Sequence, residues 1–246
     1  MIIVPFLWAG AVALGACVGS FIATAAMRGV RGEGFLAGRS HCDACGQPLS
    51  FGQTIPVLSY VALRGACADC RSPISRLHPA AEVAGVAIAA GAMLQPGVPQ
   101  ALLVATLGAT LLATALIDSR TQRLPDALTL IIALAAGSLA WIKGEDQLWF
   151  GLAAAILAFV ILEGLRRVFL WRRGESGLGF GDVKLVAALA LWLGPLTPFA
   201  LALASLAGLA WFAAFRPAAK RLAFGPFIAA AAFLVGSAGG LVSWLA

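Results

Sequence analysis

Residues 111–136 read "LLATALIDSRTQRLPDALTLIIALAA", and this stretch carries the pattern that decides the fold. An apolar run leads into a short polar turn that contains a proline, and a second apolar run follows. Two such runs, separated by residues that break helices, predict two membrane-crossing helices joined by a tight turn. Asp118 ends the first run and Asp126 begins the second.

The rest of the chain repeats this alternation. Of its 246 residues, 61% are hydrophobic and only 11% are charged, whereas about a quarter of a soluble domain is charged. A crossing takes roughly 20 apolar residues, so we expect an all-α polytopic membrane protein with about eight transmembrane helices. The second and sixth predicted spans are short for a full crossing. The predicted spans are 3–27, 79–94, 99–118, 127–142, 148–166, 183–194, 196–215 and 224–245.

The basic residues indicate the orientation of these spans. With the N-terminus outside the cell membrane, the inner segments are 28–78, 119–126, 167–182 and 216–223. Sixteen of the 17 Lys and Arg residues then lie in these segments or at the adjoining helix ends, and only Lys143 falls outside. Since basic residues concentrate in cytoplasmic loops, we expect a periplasmic N-terminus. The same concentration of Lys and Arg in cytoplasmic loops explains the net charge of +6. We therefore expect membrane lipid, and no nucleic acid, as a partner.

Residues 28–78 form the one long polar segment, and they are too polar to be embedded in lipid. We interpret them as a small cytosolic insert between the first two helices. The predicted organisation is therefore a first transmembrane helix over 1–27, the insert over 28–78, and a transmembrane domain over 79–246.

The insert contains "CDAC" at 42–45 and "CADC" at 67–70. Two C-x2-C knuckles can present four thiolates in the tetrahedral geometry that Zn²⁺ favours. The alternative is a pair of disulfides, which a reducing cytosol disfavours. Because four protein ligands leave no open coordination position, we expect a structural rather than a catalytic metal. The predicted ligands are Cys42, Cys45, Cys67 and Cys70.

Five acidic residues lie in or beside apolar spans, where charge is costly; they are Glu82, Asp118, Asp126, Glu163 and Asp182. Asp126 is predicted to be the N-cap of the fourth span, and Asp182 is either an N-cap or a functional residue. Asp118 ends the third span, where a negative charge meets the negative end of the helix dipole. A carboxylate placed against its local preference indicates a functional site.

The predicted topology relates Asp118 to Asp182. The third span runs inward and ends at Asp118, and the sixth runs outward and begins at Asp182, so both lie on the cytosolic side. If the two helices are neighbours, one carboxylate can deprotonate water while the other, protonated, polarises a carbonyl. This is the chemistry of aspartic proteases. Gly179 and Gly181, lacking side chains, would let a peptide approach the acid and would give the loop freedom.

These features together resemble one family. "GFGD" at 179–182 looks like the GxGD motif of intramembrane aspartyl proteases, and "DSRTQRLPDALT" at 118–129 resembles the D-x6-PD-x-LT segment of prepilin peptidases, the type IV leader peptidases. "GSF" at 19–21, the twin C-x2-C insert, "HPAAE" at 78–82 and "FGPF" at 224–227 occur in the order of that family. The resemblance extends over essentially the whole chain.

The resemblance implies a membrane aspartic endopeptidase of the bacterial inner membrane that removes leader peptides from prepilins or pseudopilins at the cytosolic face. Asp118 and Asp182 match the positions of the catalytic pair. Many members also N-methylate the new N-terminus with S-adenosylmethionine, but here Ala23 replaces the family's asparagine, which leaves that second activity open. Such substrates carry a glutamate shortly after the cut, and Lys184 or an arginine of 120–123 would receive it.

Three other functions remain compatible with the residues alone. A proton- or cation-coupled transporter would use the intramembrane acids for transport rather than for hydrolysis. A metal-dependent hydrolase would need histidine or glutamate ligands at an open site, and the two histidines, His41 and His78, lie beside the insert. A non-enzymatic scaffold would tolerate the loss of both aspartates.

Overall fold

The computed structural model describes residues 3–34, 38–174, 177–215 and 222–245. Those residues form nine α-helices and no strands, which confirms the all-α prediction. The helices are α1 (Ile3–Val30), α2 (Leu58–Ala62), α3 (Leu77–Met93), α4 (Val98–Thr121), α5 (Asp126–Lys143), α6 (Glu145–Arg173), α7 (Phe180–Leu193), α8 (Thr197–Phe215) and α9 (Gly225–Leu245).

The eight predicted spans correspond to eight of these helices, but eight separate crossings is wrong as a count. Five stretches of the described chain are long and apolar enough to cross a bilayer: Phe6–Val30, Val98–Thr121, Asp126–Lys143, Glu145–Arg173 and Phe180–Phe215. The last of them contains both α7 and α8, which meet at a 3-10 turn over Gly194–Leu196. Helix α3 has 17 residues, which gives roughly 25 Å of length against about 30 Å of hydrocarbon.

The chain divides into two compact units, Met1–Met93 and Leu94–Ala246. In the first unit, α1 packs along α3 through glycines that bring the two backbones together. A Cβ on Gly85 would lie 2.1 Å from the carbonyl oxygen of Gly15, and one on Gly19 would lie 2.2 Å from that of Ala81. Small residues at such an interface are how membrane helices approach closely, so the "GSF" glycine, Gly19, has a packing role.

We expect Gly85→Ala to destabilise the first unit by about 1–3 kcal/mol, because the added methyl group must push the two helices apart. The matched control is Gly10→Ala in α1, where an added Cβ meets nothing within 4 Å. Thermal unfolding of both variants in detergent measures the difference. Equal unfolding temperatures for the two would contradict the packing role.

Between α1 and α3 lies the insert, which has little hydrophobic core. Its two knuckles are each closed by an isolated antiparallel bridge, His41 with Pro48 and Ala66 with Pro73. A 3-10 turn over Phe51–Thr54 and the short α2 separate them. Of the apolar side chains described between 38 and 76, Cys67 alone is buried. The insert therefore needs another source of stability than hydrophobic burial.

In the second unit, α5 packs against α4, α6 and α7, and α9 packs against α4, α7 and α8. Helix α7 is the most buried of these helices, and its Leu185 and Leu189 are almost fully enclosed. Helix α6 instead exposes large apolar side chains: Trp149, Phe150 and Leu157 are each at least 60% exposed. Such a surface would be a liability in water, and it suits a helix that faces lipid.

Candidate active site and metal centre

Asp118 lies near the C-terminal end of α4 and is only 5% exposed. The backbone N–H of Gly225, the first residue of α9, donates a hydrogen bond of 2.9 Å to Asp118 Oδ2. The start of a helix carries unpaired N–H groups and the positive end of its dipole. The unfavourable place of Asp118 on α4 is therefore offset by α9, which brings a donor from 107 residues further along the chain.

Gly225 is a site residue that sequence reasoning missed. A Cβ built on it would lie 2.7 Å from Asp118 Oδ2, so a larger residue would collide with the carboxylate. The "FGPF" motif contains the signal, but nothing local to that motif shows which group its glycine contacts.

Asp182 is the third residue of α7, and Gly179 holds the N-cap position, so the N-cap alternative for Asp182 is wrong. The carboxylate folds back toward this cap: a Cβ on Gly179 would lie 3.0 Å from Asp182 Oδ2. Asp182 is also close enough to Asp118 for the charge of one to act on the other. Helices α4 and α7 both pack on α5 and α9, and this shared packing accounts for the electrostatic contact between their two acids.

The two motif glycines are explained by close packing rather than by unusual backbone angles. Gly179 has a φ of −69°, and Gly181 is also outside the left-handed region. A Cβ on Gly181 would lie 3.0 Å from Cβ of Leu124, in the turn between α4 and α5. Gly181 therefore lets the start of α7 lie against the turn that follows Asp118.

The sequence predicted Asp126 as the N-cap of α5, and this prediction is wrong. Pro125 occupies that position, and Asp126 is the first helical residue. Its carboxylate forms an ion pair with Nζ of Lys184, and this nitrogen also lies 5.1 Å from the centroid of the Phe180 ring. The pair joins the start of α5 to α7 two residues beyond Asp182.

A second cation contacts the same ring. Arg166 of α6 lies 5.2 Å from the centroid of Phe180, and it is held by buried Glu163 at 2.7 Å. Arg167 pairs with the same carboxylate at 2.7 Å. Glu163, whose role the sequence did not explain, therefore orients an arginine that packs on Phe180, the first residue of α7.

The four predicted metal ligands of the insert form one cluster, with every pair of Sγ atoms within 4.8 Å. Cys42 Sγ and Cys70 Sγ are 3.8 Å apart. Four thiolates placed tetrahedrally at the usual Zn–S distance would be separated by about 3.8 Å. The cysteines are free thiols rather than disulfide pairs, and their arrangement makes them a candidate metal site.

Each knuckle folds its backbone around the first cysteine in the same way. Gly46 N–H donates to the carbonyl of Cys42, and Arg71 N–H donates to that of Cys67. Both donors lie in the left-handed region, with φ of 72° for Gly46 and 59° for Arg71. Glycine is the usual residue there, so the second knuckle makes the same turn with a less suitable one.

The surroundings of two of the four cysteines favour the thiolate form. Backbone N–H groups of Cys45 and Ala44 lower the pKa of Cys42 to about 6. The Ser72 hydroxyl and backbone lower the pKa of Cys70. Thiolates are the form that binds metal, so the fold favours the ligand state at Cys42 and Cys70. The Gln47 N–H lowers the pKa of Cys45, but burial and the neighbouring thiols outweigh it and raise this pKa to about 12.

Fold and sites together define a helical membrane protein with two neighbouring carboxylates and a four-thiolate module. The chain belongs to the type IV leader peptidase family. Residues 105–213 match the model described by that name, and residues 13–95 match the Bacterial Peptidase A24 N-terminal domain. The two matched ranges follow the division of the chain into two compact units.

Three relatives show the extent of the similarity. The prepilin leader peptidase/N-methyltransferase of Burkholderia pseudomallei is 41% identical over 208 residues, which cover 78% of this chain and 64% of the relative. The enzyme of that name from Klebsiella pneumoniae is 34% identical over 77% of this chain and 87% of the relative. The type 4 prepilin-like proteins leader peptide-processing enzyme of Escherichia coli O78:H11 is 33% identical over 76% and 71%.

The chain thus spans just under two thirds of the length of the Burkholderia relative. No solved structure matches it.

Proposed function

We propose that the protein is a membrane aspartic endopeptidase that removes leader peptides from type IV prepilins or pseudopilins, with Asp118 and Asp182 as the catalytic pair. The observation that supports this most is the position of Asp118, which is buried, held by the N–H of Gly225, and within electrostatic range of Asp182. The names of the relatives support the substrate class. They give no support to the transporter alternative.

The geometry suggests how the two acids share the reaction. The N–H at the start of α9 stabilises negative charge on Asp118, so we assign to Asp118 the removal of a proton from the attacking water. Asp182, protonated, donates its proton to the oxygen of the scissile carbonyl as the water oxygen bonds to carbon. When the C–N bond breaks, the leaving nitrogen takes the proton from Asp118, and the carbonyl re-forms as Asp182 recovers its own.

The distribution of Lys and Arg supports an inner-membrane location with a periplasmic N-terminus and the carboxylate pair at the cytosolic face. In this orientation the insert is cytosolic, where thiols stay reduced. We assign to Cys42, Cys45, Cys67 and Cys70 a structural Zn²⁺, which supplies folding energy and no catalysis because its four positions are filled by protein.

N-methylation of the new N-terminus is proposed as a second activity, on the names of the relatives. S-adenosylmethionine, when bound, supplies a methyl group that the free amine can accept. The position of the family's asparagine holds Ala23, which is buried on α1 and offers no polar group. If this activity is present, it uses other side chains of the chain.

A direct test incubates the purified protein in detergent with a prepilin, with and without S-adenosylmethionine, and measures product masses. We expect a product shortened by the leader in both reactions, and one extra methyl mass when the donor is present. A shortened product without the methyl mass would keep the peptidase and remove the methyltransferase. No shortening of several prepilins would overturn the proposal.

Gly225→Ala is expected to lower the rate of cleavage by about 100-fold, because a methyl group there must displace the Asp118 carboxylate and a misplacement near 1 Å has that effect. The matched control is Gly137→Ala in the middle of α5, where an added Cβ meets nothing within 4 Å. Rates on one prepilin, with thermal unfolding as a check on folding, compare the two. Equal rates would mean that Gly225 does not position Asp118.

The substrate glutamate after the cut is proposed to meet Arg120 or Arg123 rather than Lys184. Lys184 is already paired with Asp126, whereas Arg120 and Arg123 are exposed and have no ion pair among the described residues. We expect Arg120→Glu or Arg123→Glu to slow cleavage, and a prepilin with lysine in place of that glutamate to restore the rate. If the lysine prepilin restores cleavage by neither Arg120→Glu nor Arg123→Glu, but does restore cleavage by Lys184→Glu, the role belongs to Lys184.

A further inference from the structure

The first compact unit contains a cavity of about 440 Å³ that none of the chemistry above uses. One face of α1 forms a wall, with Ser20, Thr24, Arg28 and Arg31 spaced as successive turns of a helix. The start of α3 and the insert form the remaining walls. Its volume falls in the range of about 300–1,000 Å³ that small-molecule sites occupy.

Arg28 is the unusual residue of this cavity. Its side chain is 6% exposed, yet it forms no ion pair with any described residue. The one hydrogen bond described for its guanidinium goes from Nη2 to the carbonyl of Arg39, at 3.1 Å. Arg31, one helical turn away, instead pairs with Glu33 and Asp43. A buried guanidinium without a counter-ion indicates a ligand that brings an anionic group.

Two carboxylates line the cavity. Asp43 is exposed and paired with Arg31; the buried one is Glu82 of α3, which is 7% exposed. It accepts hydrogen bonds of 2.7 Å from the Ser20 hydroxyl and from the backbone N–H of Val57. Val57 has a φ of 61°, which a β-branched residue rarely adopts. These two bonds fix the carboxylate, and each of its oxygens still has accepting capacity toward a ligand donor.

Apolar side chains complete the lining, among them Leu49, Leu63 and the ring of Tyr60. The cavity therefore combines a buried cation, a buried carboxylate and an apolar aromatic surface. S-adenosylmethionine has matching parts: an amino-acid carboxylate, donors in its ammonium and ribose hydroxyl groups, and a flat adenine ring. A peptide segment would match the apolar surface, but a single enclosed guanidinium and carboxylate fit a zwitterionic small molecule better.

We infer that this cavity binds S-adenosylmethionine, with Arg28 on its amino-acid carboxylate and Glu82 on its hydrogen-bond donors. The inference rests on the proposed N-methylation. In it, Arg28 and Glu82 provide the polar contacts that Ala23 cannot make. Cys42 and Cys67 lie in the cavity wall, so the order of the four-thiolate module also shapes the site.

Binding to the full-length protein in detergent tests the inference by calorimetry, with S-adenosylmethionine and 5′-methylthioadenosine as probes. The second probe keeps adenosine but lacks the amino acid. We expect Arg28→Gln to weaken S-adenosylmethionine by about 10- to 100-fold, the usual effect of losing a charge-assisted hydrogen bond. Methylthioadenosine should bind unchanged, which also shows that the site is folded. Arg28→Lys should recover part of the loss.

The matched control is Arg76→Gln, an exposed arginine of the same unit that does not line the cavity; both probes should bind it as they bind wild type. Equal weakening of both probes by Arg28→Gln, or of neither, would overturn the inference. The inference would also be overturned if a prepilin leader peptide displaced the methyl donor and if binding of that peptide required Arg28. If the wild-type protein cleaves prepilin but does not bind the methyl donor, the proposed site is wrong and the peptidase proposal stands. If Arg28→Gln still methylates and binds the donor with wild-type affinity, only the assignment of this site is wrong.

Discussion

Replacing Asp118 by asparagine is expected to lower the rate of prepilin cleavage by about 100- to 10,000-fold, the contribution of a positioned acid or base. Asparagine keeps the size of the side chain and can still accept the hydrogen bond from Gly225 N–H, so the contact of 2.9 Å should survive. What disappears is the capacity to take a proton from water. Asp182→Asn should have an effect of the same order, because the reaction needs both groups.

The matched control for these variants is Asp146→Asn, an exposed acid in the first turn of α6. It should cleave at the wild-type rate. Product masses measure cleavage, and membrane fractionation with thermal unfolding shows that each variant inserts and folds. Cleavage near the wild-type rate by either Asp118→Asn or Asp182→Asn would remove that residue from the catalytic pair.

Cys67→Ser is expected to abolish stoichiometric metal binding and to unfold the insert. Structural zinc sites in small modules carry apparent binding free energies of about 10–16 kcal/mol, and the insert has almost no buried apolar surface to replace that amount. Cys67 is the buried member of the four. Metal analysis of purified protein should give about one zinc per wild-type chain, as a four-thiolate site requires, and close to none for the variant.

Cys17→Ser provides the control for this experiment, since Cys17 is an exposed thiol on α1 outside the cluster. It should keep its zinc and resist limited proteolysis between residues 38 and 76 as wild type does. Zinc retained at the full ratio in Cys67→Ser would contradict the four-ligand assignment. A different metal bound at the full ratio in wild type would keep the site and change its ion.

The sequence located the unusual acid but not its partner. Asp118 was identified because a carboxylate at the end of an apolar helix conflicts with the helix dipole, and that conflict is visible locally. The resolution comes from Gly225, which is 107 residues away, and only the packing of α9 on α4 brings it there. Asp126 was predicted as an N-cap, but Pro125 holds that position. The carboxylate of Asp126 instead pairs with Lys184 on another helix, and the local sequence does not show this partner.

The knuckles were predicted because their information is local: cysteine spacing and a turn residue at 46 are enough. Glu82 and Glu163 were not explained, since a charge inside a helix depends on what neighbouring turns and helices present. Glu163 binds arginines on its own helix, whereas Glu82 joins α1 and the insert to α3. The number of crossings was overestimated for two reasons. A 3-10 turn continues α7 into α8, and two further apolar helices, Leu77–Met93 and the described part of α9 over Gly225–Ala238, are shorter than the five candidate spans.

The hydrogen bond from α9 to Asp118 also sets the order in which the proposed active site is assembled. Translation delivers Asp118 and Asp182 well before residue 225, so a nascent chain that has inserted both acids still lacks the N–H that orients the first. On the proposed mechanism, hydrolysis is therefore withheld until α9 has been made and has packed on α4.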